Sequence, residues 1–335
     1  AGGMRPHRIA PRFTVPKIGK FFLVFVTFHA AFIVIVTTMA VLAVDDEPKA
    51  RKTSTRYGER LYATIVEDII AAFFVMFGYT AIWKENEFEF GGFQVAAMCL
   101  TGRVAYEYVH FSSSQSRGLF GRHGLQTIEL VQLVGTSLFQ VLYWVLAPFV
   151  LKRMGWHVYK RIGADVVMIA MYKRYQLFCS LLKLDLMLGF VLIFTGLMGR
   201  AWDTTWGFVT TLVSLTATIV WVFVGWQAAM REHVWAMRFV LVFALYEPAY
   251  LIYKIIVLRN KEHGDVHSNT SDGLSISLPA FDLSLGYMIF LVVAALVVRA
   301  AVFTLACVVR YNFGHGLRDH LLETKVKPIM MPLFT

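Results

Sequence analysis

Residues 179–199 of the chain read CSLLKLDLMLGFVLIFTGLMG, a stretch long and apolar enough to cross a lipid bilayer. Lys183 and Asp185 nevertheless lie inside it, although a charge at the bilayer centre costs about 2.5–3.5 kcal/mol on insertion scales. Residues two apart on a helix point in directions about 200° apart, so these two charges cannot neutralise each other. We expect Lys183 to reach back to the cytoplasmic interface along its flexible stem. Asp185 has a short side chain and requires a partner on another helix, with Arg299 and Arg238 as the first candidates.

The composition indicates a membrane protein. The 335 residues are 57% hydrophobic and only 16% charged, and the mean hydropathy is +0.59. Soluble chains are about 45–50% apolar and about 25% charged. The net charge of +10 comes from lysines and arginines that cluster at the ends of apolar segments, where an anionic membrane face attracts them. No separate basic domain is predicted, which argues against nucleic-acid binding.

Eight apolar segments have about the length of a bilayer span, and they predict an all-α, polytopic transmembrane helical bundle. The third is the weakest, because it contains Arg103 and Glu107; these lie four apart on one face and are predicted to pair. The predicted organisation is a cytoplasmic basic arm at 1–20, the bundle at 21–309 and a cytoplasmic tail at 310–335. The eight segments are 21–44, 61–83, 91–111, 127–151, 177–199, 206–230, 234–258 and 283–309.

The distribution of positive charge predicts the orientation. The termini and the loops on their side carry 17 lysines and arginines, against 10 in the loops on the other side. The positive-inside rule therefore places both termini in the cytoplasm. Asn269-Thr270-Ser271 is an N-glycosylation sequon in a loop that this orientation places outside the cytoplasm, so Asn269 is the predicted glycosylation site.

The loop at 152–176 combines aromatic and cationic residues, which is typical of a membrane interface. Asp165 is predicted to cap a helix that begins at Val166 and continues into the fifth segment. One interpretation is an interfacial amphipathic helix before the fifth span, lying on anionic lipid. The other is a docking surface for a cytoplasmic partner. The predicted lipid-interface residues are Trp156, Lys160, Arg161, Lys173 and Arg174.

The same region carries a resemblance to a known group of proteins. Over about thirty residues the chain resembles uncharacterised multi-pass membrane proteins of fungi and other microbial eukaryotes. That group brings no assigned activity, so the resemblance implies a eukaryotic polytopic membrane protein and nothing more specific. The residues that carry it are Gly155-Trp156, Lys160, Gly163-Ala164-Asp165, Met171-Tyr172-Lys173, Tyr175-Gln176, Lys183 and Asp185.

Ionisable residues inside predicted spans are candidates for a functional site, because they must find partners or water. Arg299 lies ten residues before the end of the eighth segment and is expected to contact a carboxylate from Asp185, Glu247 or Glu107. Glu247 precedes Pro248, whose ring frees a backbone carbonyl one turn earlier, a common arrangement at ion-binding or gating sites. The candidates for an ion or substrate pathway are Asp185, Glu247, Arg299, Arg238, Glu107, Arg103 and Lys183.

Catalytic and cofactor motifs are absent from the sequence, which argues against an enzyme. It contains no HExxH, GxSxG or P-loop pattern, and the three cysteines are far apart. His29 lies in the first segment without a second histidine placed to share a haem, and no metal site or cofactor is predicted.

Three functions fit these features. The buried charges favour ion or small-solute transport, or a channel, through the bundle. The alternative is a non-catalytic structural or assembly protein that forms homo-oligomers or docks a partner at 152–176. A receptor-like signalling protein is a further alternative, although the short outer loops offer little room for a ligand.

Overall fold

The computed structural model of the protein describes residues 17–45, 54–114, 123–162, 165–198, 205–246, 248–249 and 279–314. In this part of the chain all regular secondary structure is α-helical, which confirms the predicted fold class. The helices are α1 (Lys17–Asp45), α2 (Ser54–Lys84), α3 (Glu87–Ser114), α4 (His123–Ile162), α5 (Val166–Met198), α6 (Thr205–Arg231), α7 (Val234–Tyr246) and α8 (Pro279–Tyr311).

Six of these helices are long and apolar enough to cross a membrane: α1, α2, α4, α5, α6 and α8. The protein is therefore an integral multi-pass membrane protein, with six such helices in the described ranges where the sequence predicted eight spans. α7 is described only as a shorter apolar helix, Val234–Tyr246. α3 has 28 residues, about 42 Å of helix, but its charged residues lower its hydropathy.

α3 tolerates these charges because protein surrounds it. It packs against α2, α4, α5 and α8, so much of its surface faces other helices and not lipid. α1, α2, α3 and α4 pack with parts of α5 and α8 around one apolar core, and α5, α6, α7 and α8 surround a second. α5 and α8 contribute to both cores and thereby join them. The interior of this bundle is where polar side chains from different helices meet.

Glycines and phenylalanines interlock α2 with α3. Phe93 of α3 packs against Gly78 of α2, and Phe77 of α2 packs against Gly92 of α3. A Cβ atom at Gly92 would lie 2.6 Å from Cε1 of Phe77, which is closer than van der Waals contact allows. These glycines let the two backbones approach each other, as small residues do at membrane helix interfaces.

The α2–α3 and α6–α7 turns share one construction. Each has a glutamate in the left-handed region, with a φ of 49° at Glu85 and 53° at Glu232. In each turn the following amide donates to a carbonyl five residues earlier, from Asn86 to Ala81 at 3.1 Å and from His233 to Ala228 at 3.0 Å. This is the Schellman pattern, in which the left-handed position usually belongs to glycine. Two tight helical hairpins are thereby closed at the expense of backbone strain.

The segment at 152–176 differs from its prediction in one respect. Asp165 does cap a helix that begins at Val166, because its Oδ1 accepts hydrogen bonds from the amides of Val167 (2.9 Å) and Met168 (3.3 Å). The predicted interfacial helix is, however, no separate element. α4 continues to Ile162 and α5 begins at Val166, so the segment consists of the adjoining ends of two long helices. The 40 residues of α4 extend about 60 Å, well beyond the hydrocarbon core of a bilayer.

Candidate functional site

Asp185 forms an ion pair with Arg299. Nη2 of Arg299 on α8 lies 2.9 Å from Oδ2 of Asp185 on α5, and the two side chains are only 6% and 2% exposed. This confirms the prediction that Asp185 requires a partner on another helix, and that Arg299 supplies it. The pairing follows from side-chain length, because a carboxylate this deep in a helix cannot reach the interface by itself.

An indole ring completes the arrangement. The guanidinium carbon of Arg299 lies 4.0 Å from the ring centroid of Trp221 on α6, within the range of a cation–π interaction. Nε1 of Trp221 donates a hydrogen bond of 3.0 Å to the backbone carbonyl of Val240 on α7, which fixes the orientation of the ring. We refer to Asp185, Arg299 and Trp221 as the Asp185 centre. It connects four helices around one buried cation.

Lys183 forms an ion pair that the sequence did not predict. Its Nζ pairs with Oε1 of Glu89 on α3, and the Lys183 side chain is 16% exposed. Thr80 of α2 donates a hydrogen bond of 3.0 Å to the other oxygen of Glu89. This partner was not predicted because α3 begins at Glu87, four residues before the predicted segment. Glu89 therefore lies in the first turn of a helix that packs against α5, within reach of Lys183.

A second, more accessible pair lies beside it. Nζ of Lys173, predicted as a lipid-interface residue, is 2.8 Å from Oε1 of Glu87, and both side chains are about 40% exposed. Arg174 is exposed. The side chains of Trp156, Lys160 and Arg161 lie outside the described residues, so their predicted contact with lipid remains a prediction.

The predicted pair of Arg103 and Glu107 is present. Nη2 of Arg103 lies 2.6 Å from Oε1 of Glu107, and both side chains are buried. The guanidinium carbon also lies 5.4 Å from the ring centroid of Tyr106 and 5.3 Å from that of Tyr287 on α8. The two tyrosine rings stack with centroids 4.4 Å apart. The pair therefore holds α8 against α3 in addition to balancing charge within α3.

Arg238 does not belong to this buried set. It is exposed, and its guanidinium carbon lies 4.6 Å from the ring centroid of Trp235. Its proposed pairing with Asp185 was wrong because α7 buries Met237, Val240 and Ala244 instead, and residue 238 is rotated about 100° from residue 237. Glu247 and Asn269 lie outside the described residues, so the predictions for them are unchanged.

A buried polar stripe on α4 was missed by the sequence analysis. Gln132 donates a hydrogen bond of 2.8 Å from Nε2 to Oε2 of Glu67 on α2. Gln140 donates one of 3.4 Å from Nε2 to Oε1 of Gln94 on α3. Spacings of three and four residues place the stripe on one helical face, about 21 Å long. Its buried members are Glu129, Gln132, Thr136, Gln140 and Tyr143.

His29 meets this stripe from α1. Its Nδ1 lies 3.1 Å from the hydroxyl of Tyr143, and its ring stacks on Phe139 with centroids 4.4 Å apart. Nε2 of His29 is buried and has no hydrogen-bond partner among the residues that the structure describes. In those same residues no group of three or more His, Cys, Asp or Glu side chains is arranged to hold a metal ion. The described arrangement is thus one of ion pairs and side-chain hydrogen bonds.

Comparison with known proteins gives one distant relative. A UPF0658 Golgi apparatus membrane protein from Schizosaccharomyces pombe is 23% identical to this chain over 201 residues. The matched region is 58% of this chain and 51% of the relative, so the chain spans about half the length of that curated protein. No family model and no solved structure matches. This relative agrees with the resemblance to multi-pass membrane proteins of fungi, and its own name assigns it to the Golgi membrane.

Proposed function

We propose that this protein transports an ion or a small solute through its helical bundle. The observation that carries the proposal is the Asp185–Arg299 pair. Arg299 precedes the end of α8 by twelve residues, about 18 Å, and Asp185 follows the start of α5 by nineteen, about 28 Å. Both residues are buried far from the ends of helices long and apolar enough to span the bilayer.

Packing alone gives a weak reason for such a pair. Removing two charges from water costs several kcal/mol per ion, and apolar residues of similar volume often replace a buried pair without loss of stability. Ionisable groups inside membrane proteins are typical of ion and substrate pathways. The polar stripe on α4 supports the same proposal, since it adds hydrogen-bonding groups along about 21 Å of the bundle interior.

The experiment is a flux measurement on the purified full chain in liposomes. Proton, alkali-cation and chloride fluxes are followed with entrapped dyes, and neutral solutes by light-scattering swelling. We expect at least one flux above that of empty liposomes, and we expect Asp185→Asn to abolish it. Asp165→Asn is the matched control, because it makes the same chemical change at an exposed helix cap where asparagine serves equally well.

Two outcomes would overturn the proposal. The first is the absence of every flux in a folded wild-type protein, which would favour the alternative of a structural or assembly protein. The second is an unchanged flux in a folded Asp185→Asn variant. Cross-linking in native membranes then distinguishes self-assembly from a monomer.

We also propose that the protein resides in the Golgi membrane with both termini in the cytoplasm. The name of the distant relative and the excess of positive charge on the side of the termini support this proposal. This orientation exposes Asn269 to the lumen, where glycosylation occurs. Treatment with a glycosidase should therefore increase the gel mobility of the wild type and leave Asn269→Gln unchanged. A wild-type protein that carries no glycan would contradict the orientation. A tagged chain found in another membrane would contradict the Golgi location.

A further inference from the structure

We infer that the Asp185 centre recognises a small organic cation of the ammonium or guanidinium class, and that Arg299 occupies its place when none is bound. This inference rests on the proposed transport function and specifies the substrate class of the same site. Two of the groups that contact the guanidinium are a buried carboxylate and a buried indole face.

Those two groups are the recognition elements of an organic-cation site. A carboxylate supplies charge and hydrogen-bond acceptors, and an indole face attracts a cation through its quadrupole, most strongly where water is excluded. Asp185 and Trp221 are both nearly inaccessible. Aromatic faces are a common means of recognising quaternary ammonium ligands. A hydrated alkali cation is a poorer fit, because the indole offers no oxygen to replace its water.

The three side chains differ in how freely they can leave. Asp185 is short, and the hydrogen bond to Val240 together with close packing restrains Trp221. Arg299 has a long, flexible side chain from a different helix than either of the others. Arg299 is therefore the member that would withdraw, into the water that enters with the substrate, and leave a preformed site in which the carboxylate and the ring stay in position.

Charge balance gives this arrangement a functional consequence. With Arg299 in place the pair is neutral overall, so a carrier without substrate can reorient across the membrane. Without Arg299, the empty site would hold a buried carboxylate that has lost this cationic partner, which is unfavourable. A carrier that lacks Arg299 should then reorient only when a substrate cation is bound at Asp185. Arg299 would thus permit net transport, whereas Asp185 and Trp221 would bind the substrate.

The test uses uptake of radiolabelled choline and radiolabelled guanidine by the full chain in liposomes. We expect saturable net uptake by the wild type. Arg299→Gln should reduce net uptake by a factor on the order of 100 and retain exchange against unlabelled probe inside. Asp185→Asn should lose both activities. Arg238→Gln makes the same change at an exposed arginine that also contacts an indole, and it should leave both rates unchanged.

The outcomes separate this inference from the function on which it rests. If the wild type moves other ions or solutes but neither probe, the cation site is refuted and transport stands. If it moves nothing, transport itself is refuted. Net uptake by a folded Arg299→Gln at the wild-type rate would also overturn the inference. Should that variant not fold, the melting temperature of the wild type decides: either probe should raise it saturably and Trp221→Phe should weaken the effect, whereas no shift would overturn the inference.

Discussion

A double-mutant cycle on Asp185 and Arg299 should show strong coupling between them. The perturbations are Asp185→Leu, Arg299→Met and the two combined, each of which replaces a polar side chain by an apolar one of similar size. The pair is buried, with the two polar atoms 2.9 Å apart, so either single change leaves the other charge without this partner. Breaking a buried pair in this way costs about 3–5 kcal/mol.

The two single variants should differ in degree. Arg299→Met also removes the cation from the face of Trp221, a contact worth about 2 kcal/mol when desolvated. Asp185→Leu retains that contact, so its cost should lie at the lower end of the range. The double variant removes both charges together, and its loss of stability should be at most about 1–2 kcal/mol because apolar replacement of a buried pair is often neutral. With single losses of about 3 and about 5 kcal/mol and a double loss of about 1–2 kcal/mol, the coupling energy should be about 6 kcal/mol.

The assay is equilibrium unfolding of the purified protein in mixed micelles, followed by tryptophan fluorescence and far-UV circular dichroism. Arg238→Met is the control, because this exposed arginine contacts an indole but forms no buried ion pair within the described ranges, so its loss should cost about 1 kcal/mol or less. Additive single variants, with a coupling energy near zero, would refute the account of the pair as a mutually dependent buried unit.

Three further predictions concern stability in the same assay. Gly92→Ala should lower the free energy of unfolding by about 1–3 kcal/mol because its Cβ would collide with Phe77. Gly91→Ala is the control and should be neutral or stabilising, since no atom lies within 4 Å of the new Cβ. Equal effects of the two substitutions would contradict this packing. Glu85→Gly should stabilise by about 1 kcal/mol by relieving the left-handed backbone, and a clear destabilisation would show that its side chain outweighs the strain. Tyr143→Phe should destabilise by about 1–2 kcal/mol through loss of the hydroxyl that contacts His29, and an unchanged stability would contradict that contact.

The pairing of Asp185 with Arg299 could be predicted because it depends on two local properties. The angle between residues on a helix excludes Lys183 as the partner of Asp185, and the short side chain of Asp185 excludes the interface. The helical bundle and the capping role of Asp165 were predictable for the same kind of reason. Each follows from the spacing or the chemistry of residues close together in sequence.

The errors came from quantities that depend on packing. The partner of Lys183 was missed because Glu89 was assigned to a loop when it lies in the first turn of α3. Arg238 was misplaced because the buried face of α7 cannot be read from a helix that is apolar on several sides. Which of two neighbouring faces of a helix is buried depends on how the other helices of the bundle pack against it.

The α4 stripe was missed for a different reason. Gln132 and Gln140 are uncharged, and the mean hydropathy of α4 remains high although the helix contains them. The signal that could have revealed them is their spacing with Thr136 and Tyr143, which places four polar groups on one face. Their partners, Glu67 on α2 and residues of α1 and α3, become apparent only once the helices are packed.

The most direct test of the central claim compares choline uptake by liposomes that contain the wild type, Asp185→Asn or Asp165→Asn. The account predicts saturable uptake at the same rate for the wild type and Asp165→Asn, and uptake at the level of empty liposomes for folded Asp185→Asn. A folded Asp185→Asn protein that takes up choline at the wild-type rate would contradict the claim that this buried carboxylate binds the transported cation.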